Sequence, residues 1–556
     1  MMRKLPSLQF DQFNRWKSPP TTLLGGRPFL LLALIAGLGA ALRVYRLNAR
    51  GLWLDEAYSV LFATRSISAI VTNTAEKNPP LYYLLLHVWT AFFGTSEQAL
   101  RSLSVVFGTV AIVLIGLLGF SLYDHRTGLL AAALMAMMVF PLHYAREARA
   151  YSLFLVLTIG SFHFCFKGLQ DHRWRDWIGY LLVSVALSYT HNYWIFNILA
   201  QNLYVLLCYR ADKRKLLRWI IVQAGVVLCF LPWLIPMLTQ TGKVMREGFW
   251  IRRPDLPDLT GALRSYVAFL VRPQVLWGYI LLAGLGALGG TSLTGGRGAD
   301  AVRDTVEPSR WQWHPHTAQR SVFLLLWFAC PLFVPFYLSQ FVSPIFFPRY
   351  MIAAIPAFYL LIARGVWQVP TILLRGLVIS GMALISLASL QNYYSFSRGG
   401  AGLAEAGYYF MYPTEPWREW VAFLARHVEP TDLIIVSPQG SSPPFRYYAK
   451  DALPYHRVPA VLKEEDRAGV ASSLATLTRG KRRLWLVLRW EFQIRRAHLS
   501  GAGEESIVQF LESRYEQIQV RSSVEPRRNL AVFLFDLTRL RGPTSHRSTV
   551  SREASD

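Results

Sequence analysis

The sequence predicts a polytopic α-helical membrane protein of about eleven transmembrane helices with a C-terminal α/β domain, on three observations. Of 556 residues, 53% are hydrophobic, 14% aromatic and only 17% charged, which is too apolar for an ordinary soluble domain. Apolar stretches of roughly 17 to 25 residues, the length a helix needs to cross about 30 Å of hydrocarbon, recur from residue 28 to residue 390. Beyond Asn392 the hydropathy falls, and short apolar strands alternate with helical runs.

The first candidate span, PFLLLALIAGLGAALRV from Pro28, lacks the small-residue cleavage site of a signal peptide and is expected to be retained. Further spans are expected near residues 102–121, 128–143, 151–166, 177–194, 195–209, 217–238, 262–289, 320–341, 350–363 and 370–390. The segment NPPLYYLLLHVWTAFFG from Asn78 opens with two prolines, carries His87 and is short for a crossing.

Loop charge decides how that segment is counted. The loop 209–218 carries Arg210, Lys213, Arg214, Lys215 and Arg218 against the single acid Asp212, so it is expected inside. The tail 1–27, with Arg3, Lys4, Arg15, Lys17 and Arg27, is expected on the same side. Parity then requires residues 79–93 to lie along the membrane surface rather than cross it. The loops 46–101, 143–150, 239–261 and 343–350 all face the outer side of the cytoplasmic membrane in this reading.

The expected organisation is therefore a cytoplasmic tail (1–27), a transmembrane domain (28–395) with a first outer loop (46–101), an extracytoplasmic α/β domain (396–540) and a disordered polar tail (541–556). In the α/β domain EPWREWVAFLARHV and EESIVQFLESRYEQ read as helices, and DLIIVSP, LWLVLRW and LAVFLFDL as strands. No internal repeat is visible.

A formal charge of +24 would point to nucleic acid in a soluble protein, but the basic excess sits largely in short loops between spans. Membrane topology, with an anionic lipid or phosphate ligand, accounts for it, and no nucleic-acid partner is expected. Cys165, Cys208, Cys229 and Cys330 all fall in apolar segments, as small buried hydrophobes rather than bridges or metal ligands.

The unusual polar residues collect in the outer loops. Asp55 and Glu56 follow the first span beside Trp53 and Tyr58; they read either as solvated loop charges or as a general base and metal ligand held at headgroup depth. Lys77 and Asn78 precede the two prolines as candidate substrate contacts, while Tyr82 and Tyr83 read as interfacial anchors or substrate contacts. The run HYAREARAYSL brings His143, Arg146, Glu147, Arg149 and Tyr151 together, either as a self-neutralising network or as a phosphate grip. Arg349 and Tyr350 open a later span, where an arginine snorkels or holds a phosphate.

These segments carry a resemblance. LDEAYS after the first span, NPPLYYLLLHVW, LRSLSVVFG, REARAYSL and RYMIAAIPAFYLLIARG together resemble the GT-C superfamily of membrane glycosyltransferases. The chain is similar to bacterial relatives of the protein O-mannosyltransferases and of the lipid A aminoarabinose transferases. The resemblance covers roughly residues 28–390 and is more specific before Tyr193 than after it. One departure is Asn78, where some relatives place a lysine or histidine directly before the prolines.

The resemblance implies a polyprenyl-phosphate-linked sugar donor, an extracytoplasmic site, an acceptor hydroxyl on a cell-envelope lipid, polysaccharide or protein, and inversion at the anomeric carbon. Asp55 matches the family's acidic residue after the first span and is expected to act as base. Glu56 and Glu147 would orient the acceptor or share a divalent cation, magnesium or manganese, with Asp55 and Glu147 as its ligands. Arg146, Arg149 and Arg349, with Tyr350, would grip the donor phosphate. Lys77, Asn78, Tyr82, Tyr83, His143 and Tyr151 would line the substrate. The competing reading, a transporter or flippase of a lipid-linked sugar, calls for mid-membrane charges and two related halves, and the sequence has neither.

Overall fold

A computed structural model describes residues 26–72, 78–171, 173–247, 251–288, 315–396, 415–450, 452–459, 464–489, 504–522 and 530–540. Residues 1–25, Lys77 and the tail 541–556, for which the sequence carried expectations, lie outside the described residues.

The first half contains α1 (Gly26–Val44), α2 (Leu54–Ala63), α3 (Ile67–Val71), α4 (Leu81–Phe93), α5 (Glu97–Leu122), α6 (His125–Met137), α7 (Val139–Tyr144) and α8 (Tyr151–Asp171). There follow α9 (Trp174–Ser188), α10 (Trp194–Tyr209), α11 (Lys213–Glu247), α12 (Leu256–Val267), α13 (Val275–Leu288) and α14 (Pro315–Phe341). A 3-10 turn, Pro348–Ala354, runs into α15 (Ile355–Gln368), and α16 (Ile372–Phe396) closes the bundle.

Local chemistry sets these boundaries. Ser96 and Asp124 cap α5 and α6 by accepting the N–H groups of Ala99 and Thr127. An Asp255–Asp258 capping box starts α12. Between α6 and α7 the chain extends at Met138, freeing carbonyls that the fully buried Arg43 of α1 takes up: its guanidinium donates to Met135 O and Ala136 O at 2.9 and 3.2 Å.

Seven described helices are long and apolar enough to cross a membrane. The expected crossings at 128–143, 177–194 and 195–209 fall instead on shorter helices: α6 with α7, α9 and α10. The expected span 262–289 is corrected to two helices, because the backbone is extended at Ala268, turns left-handed at Leu270 and meets Pro273 before α13 begins. α4 has 13 residues, roughly 20 Å at 1.5 Å per residue, which is shorter than the roughly 30 Å of a bilayer's hydrocarbon. It packs against α2, α3 and α5.

Leu34 of α1, Leu228 and Ile235 of α11, and Leu377 and Leu384 of α16 stand exposed, as lipid-facing residues do. Inside, α13 and α15 cross closely at Gly286 and Gly365: a Cβ on Gly365 would stand 1.8 Å from Leu282 O, and one on Gly286 2.0 Å from Leu361 O.

The C-terminal unit comprises α17 (Trp417–His427), β1 (Leu433–Ser437), α18 (Ser442–Ala449), β2 (His456–Arg457), α19 (Glu464–Thr478), β3 (Arg483–Arg489), α20 (Glu504–Glu512), β4 (Tyr515–Ser522) and β5 (Leu530–Leu540). The sheet order is β2-β1-β3-β5-β4, with β1 parallel to β2 and β3, and β5 antiparallel to β3 and β4. Leu433 and Ile435 pack beneath Leu474 and Leu511, while Ile434 and Val436 face Trp417 and Phe445 on the other side. Burial of both faces explains why β1 reads as an unbroken apolar run. The helix expected over EESIVQFLESRYEQ ends at Glu512, and Tyr515 already begins β4.

This unit docks on the loop after α1. Leu52 N–H donates to the Tyr448 hydroxyl at 2.6 Å, which in turn donates to Glu97 at 2.5 Å, and Arg418 pairs with the same carboxylate. Burial first, and then Glu97, push the Tyr448 phenol upward, so it stays protonated for that donation. Tyr58 of α2 donates to Gly440 O at 2.7 Å.

Candidate active site

α2 begins directly after Trp53, so Asp55 and Glu56 occupy its first turn, where the helix dipole favours carboxylates. Successive helical residues point about 100° apart, and the two acids diverge. Glu56 turns inward and is fully buried. Arg101 of α5 grips it with two hydrogen bonds, Nε to Oε1 at 2.7 Å and Nη2 to Oε2 at 2.6 Å, and Ala148 N–H adds a third at 3.0 Å. Arg101 also donates to the carbonyls of Leu47, Arg50 and Gly51, fixing the loop before α2. This arrangement makes Glu56, which the sequence expected to orient the acceptor or share a cation, a clamp between α2, α5 and the 143–150 loop.

Asp55 keeps a quarter of its side chain exposed, and its Oδ2 lies 3.2 Å from Arg349 Nη2. Arg349 is buried, and the rings of Trp53, Tyr151, Phe347 and Tyr350 surround its guanidinium at 5.0 to 5.8 Å. His191, in the turn between α9 and α10, packs against Tyr151 and Tyr350. Its Nδ1 accepts Tyr193 N–H at 3.2 Å, which puts the proton of the neutral ring on Nε2. A partly exposed acid and a buried cation thus meet inside an aromatic wall, at the bundle end where the 46–101, 143–150 and 343–350 loops converge.

The other expected site residues divide. Arg149 donates to Asp55 O, Ser59 Oγ and Tyr83 OH at 3.2 to 3.3 Å, so Arg149 and Tyr83 brace α2 from behind. Arg146 was expected to grip phosphate, but it donates to Leu42 O, Tyr45 O, Arg46 O and Tyr394 OH and closes the C-terminus of α1. Tyr82 is fully buried, with its hydroxyl 3.0 Å from Ser104 Oγ, and belongs to the packing of α4 on α5. Asn78 lies half-buried just before α4. Tyr151 and Tyr350 belong to the wall around Arg349.

Glu147 and His143 form a second centre. Glu147 Oε1 lies 3.1 Å from His143 Nε2, and His143 Nδ1 lies 3.2 Å from the Tyr393 hydroxyl of α16. They line a small cavity on the Trp53 side of the loop after α1, together with Arg46, Arg50 and Tyr394.

A divalent cation held by Asp55 and Glu147 would need further oxygen or nitrogen ligands. Among the described residues no three His, Cys, Asp or Glu side chains converge, Asp55 faces Arg349 and Glu147 faces His143. The donor set does not fit a metal cage.

Sequence reasoning missed His191, Tyr193 and Tyr393. The signal for the first two was the polar run YTHNYW between apolar stretches; for Tyr393 it was the NYY triplet ending the last span.

The architecture, a multi-pass helical bundle carrying its polar centre on the loops at one end and followed by a small α/β unit, is the GT-C glycosyltransferase fold. Residues 77–238 match the family model of the dolichyl-phosphate-mannose-protein mannosyltransferases. ArnT from Cupriavidus metallidurans in the apo state aligns with a TM-score of 0.58 at 12% identity, over 93% of this chain and 99% of ArnT. The same protein bound to undecaprenyl phosphate aligns with a TM-score of 0.52 at 12% identity, over 92% of this chain and 98% of ArnT. The archaeal oligosaccharyltransferase AglB from Archaeoglobus fulgidus, in complex with an inhibitory peptide and a dolichol-phosphate, aligns with a TM-score of 0.52 at 10% identity, over 95% of this chain and 76% of AglB. No curated protein matches the chain.

Proposed function

We propose that this protein transfers a sugar from a polyprenyl-phosphate donor to an acceptor hydroxyl, on the extracytoplasmic face of the cytoplasmic membrane. The observation that carries the reading is the Asp55–Arg349 pair: a partly exposed carboxylate 3.2 Å from a buried guanidinium, at a bundle end walled by aromatic rings. Relatives of this fold bind undecaprenyl phosphate or dolichol-phosphate, which supports a lipid-phosphate donor here.

The chemistry follows from the groups present. The acceptor oxygen attacks the anomeric carbon as the bond from that carbon to the phosphate oxygen breaks. The bonding pair leaves with the polyprenyl phosphate, Arg349 stabilises the charge gathering there, and Asp55 takes the acceptor proton. One displacement inverts the anomeric centre. Arg349 pairs with Asp55 in this structure, and a bound phosphate competes for the same guanidinium. His191, with its proton on Nε2, is placed beside Tyr350 to donate to a phosphate oxygen without carrying charge of its own.

The test is sugar release by purified protein from a radiolabelled panel of hexosyl and pentosyl polyprenyl phosphates, comparing wild type with Asp55→Asn. The expected result is turnover by the wild type on at least one donor, reduced by about 10²- to 10⁴-fold in the variant. Equal turnover by both proteins would strip Asp55 of its role, and no turnover on any donor would overturn the transferase reading.

A further inference from the structure

At the end of the bundle opposite the Asp55–Arg349 pair, where α5 and α15 finish and α6, α14 and α16 begin, four guanidiniums meet around two aromatic rings. Arg364 of α15 and Arg320 of α14 lie 5.0 and 6.0 Å from the centre of the Tyr123 ring. Arg375 of α16 and Arg126 of α6 lie 5.3 and 5.9 Å from the centre of the Trp367 ring. Arg364 and Trp367 are three residues apart on α15, so they share one helix face and join the two halves of the cluster.

The charges of this cluster do not balance. The acid that pairs with it among the described residues is Asp124, whose Oδ2 is 3.9 Å from Arg364 Nη1 and whose Oδ1 caps α6 through Thr127 N–H. Four positive charges against one negative leave an excess of three. Arg375 closes the C-terminus of α15 by donating to Val369 O at 2.9 Å. Arg320 is half-buried and has no carboxylate partner among the described residues, and Arg126 is exposed. The Tyr123 hydroxyl, Trp367 Nε1 and Arg364 Nε are buried without a hydrogen-bond partner among the described residues. Two of these three atoms only donate and the third can, so the cluster lacks acceptor oxygens as well as negative charge. A phosphate supplies both. Snorkelling does not explain the geometry, because it sends each arginine to water by itself, whereas Arg320 and Arg364 come from different helices and converge on one ring.

Beside the cluster the surface is apolar. Ile372, Leu373 and Leu377 of α16 are 86%, 71% and 60% exposed, within a turn of Arg375. A free phosphate would leave them uncovered, and an acyl chain would lie along them. We infer that the cluster binds an anionic phospholipid of the leaflet on that side, with its phosphodiester on Arg320, Arg364 and Arg126 and its chains along α16. The inference uses the membrane reading of the bundle and is independent of the transferase reading.

Lipid binding to the full-length protein in detergent, measured by native mass spectrometry, tests it. The probes are phosphatidylglycerol, phosphatidylcholine with the same chains, and undecaprenyl phosphate, with excess inorganic phosphate as a competitor. The variants are Arg320→Gln/Arg364→Gln, Arg320→Lys/Arg364→Lys, the exposed Arg126→Gln, and Arg210→Gln/Arg214→Gln in the basic 209–218 loop. Wild type is expected to bind phosphatidylglycerol about tenfold more tightly than phosphatidylcholine. The Arg320/Arg364 glutamine pair loses that preference, the lysine pair keeps most of it, and Arg126→Gln weakens phosphatidylglycerol about threefold. The Arg210/Arg214 pair keeps the preference, inorganic phosphate does not displace the lipid, and undecaprenyl phosphate binds the Arg320/Arg364 glutamine pair as it binds wild type.

Equal binding of the two phospholipids by wild type would overturn the proposal. An equal loss in the Arg210/Arg214 pair would reduce it to general surface charge, and displacement by inorganic phosphate would make the cluster a free-anion site. Loss of undecaprenyl phosphate binding in the Arg320/Arg364 glutamine pair would give the cluster to a polyprenyl phosphate instead. Should that glutamine pair fail to fold, Arg126→Gln and the lysine pair decide, and wild-type affinity in Arg126→Gln would then sink the proposal.

Discussion

Arg349 Nη2 stands 3.2 Å from Asp55 Oδ2, joining the 3-10 turn before α15 to the first turn of α2 across 294 positions of sequence. Replacing Arg349 by Gln removes a charge-assisted contact to the donor phosphate worth roughly 1.5 to 3 kcal/mol, so the donor KM rises about 10- to 100-fold. Arg349→Lys keeps the charge and loses the planar fork, and is expected to fall between the two. Steady-state kinetics with varied donor checks this; an unchanged KM in Arg349→Gln would remove the arginine from the donor site.

Asp55 and Glu56 are neighbours with opposite fates, and conservative amide substitutions separate them. Asp55→Asn is expected to lose turnover while melting near the wild-type temperature, because its carboxylate is partly solvated. Glu56→Gln weakens a fully buried pair with Arg101, and truncating one side of such a pair costs about 3 to 5 kcal/mol. Its first symptom is a lower melting temperature of the purified protein. A Glu56→Gln enzyme with native stability and no turnover would return Glu56 to the chemistry.

Gly286 and Gly365 sit where α13 and α15 approach too closely for a Cβ. A Cβ at Gly365 would stand 1.8 Å from a carbonyl oxygen of the facing helix, which no rotamer change relieves. Gly365→Ala therefore forces α13 and α15 apart, and the expected readout is loss of monodisperse protein on gel filtration, while Gly376→Ala, with open space at its Cβ, behaves as wild type. Native behaviour of Gly365→Ala would mean that the two helices pack differently in the bilayer.

Much of this could be read from the sequence, and what could not has identifiable causes. Asp55 and Arg349 stood out because charge at span ends is conspicuous against apolar surroundings. The structural duty of Glu56 was hidden because its partner, Arg101, lies 45 positions away inside the apolar run LRSLSVVFG. Arg146 looked like a phosphate ligand because sequence cannot show which backbone carbonyls a helix end leaves unbonded. The break between α12 and α13 was signalled by Arg272-Pro273 but outweighed by the hydropathy on either side. β4 was masked by a run whose amphipathic pattern continues through Arg514 into the strand.

The α/β unit carries its own acid sensitivity at Asp432. Burial raises the carboxyl, but hydrogen bonds from Arg483 at 2.6 and 2.9 Å, Glu429 N–H at 2.9 Å and Trp485 Nε1 at 2.9 Å outweigh it and hold the group below the usual aspartate value. A depressed folded-state value contributes stability above the unfolded pKa of about 3.9 and loses it as pH falls through the folded one. Thermal unfolding followed by tryptophan fluorescence is therefore expected to show a falling midpoint below about pH 4. Asp432→Asn is expected to lower the midpoint at pH 7 and flatten the acid limb. A variant with the wild-type slope would place the sensitivity elsewhere.

The α/β unit also reaches into the site through Glu415. Trp53 offers α2 no side-chain cap, and Leu54 N–H is taken instead by Glu415 Oε2 at 3.2 Å. The same carboxylate accepts from Trp417 Nε1 at 2.8 Å and from Arg489 Nε and Nη2 at 3.0 and 2.8 Å. The helix that presents Asp55 is thus capped from a second domain, and Glu415 acts as a positioning residue. Losing an N-terminal cap costs about 0.5 to 2 kcal/mol, so Glu415→Ala is expected to lower kcat roughly 2- to 30-fold with the donor KM unchanged, while Glu415→Asp recovers part of the loss. A merely structural contact would lower the melting temperature of Glu415→Ala and leave kcat intact. Measuring both on the same preparation decides whether the α/β unit tunes the base or only rests on the loop that carries it.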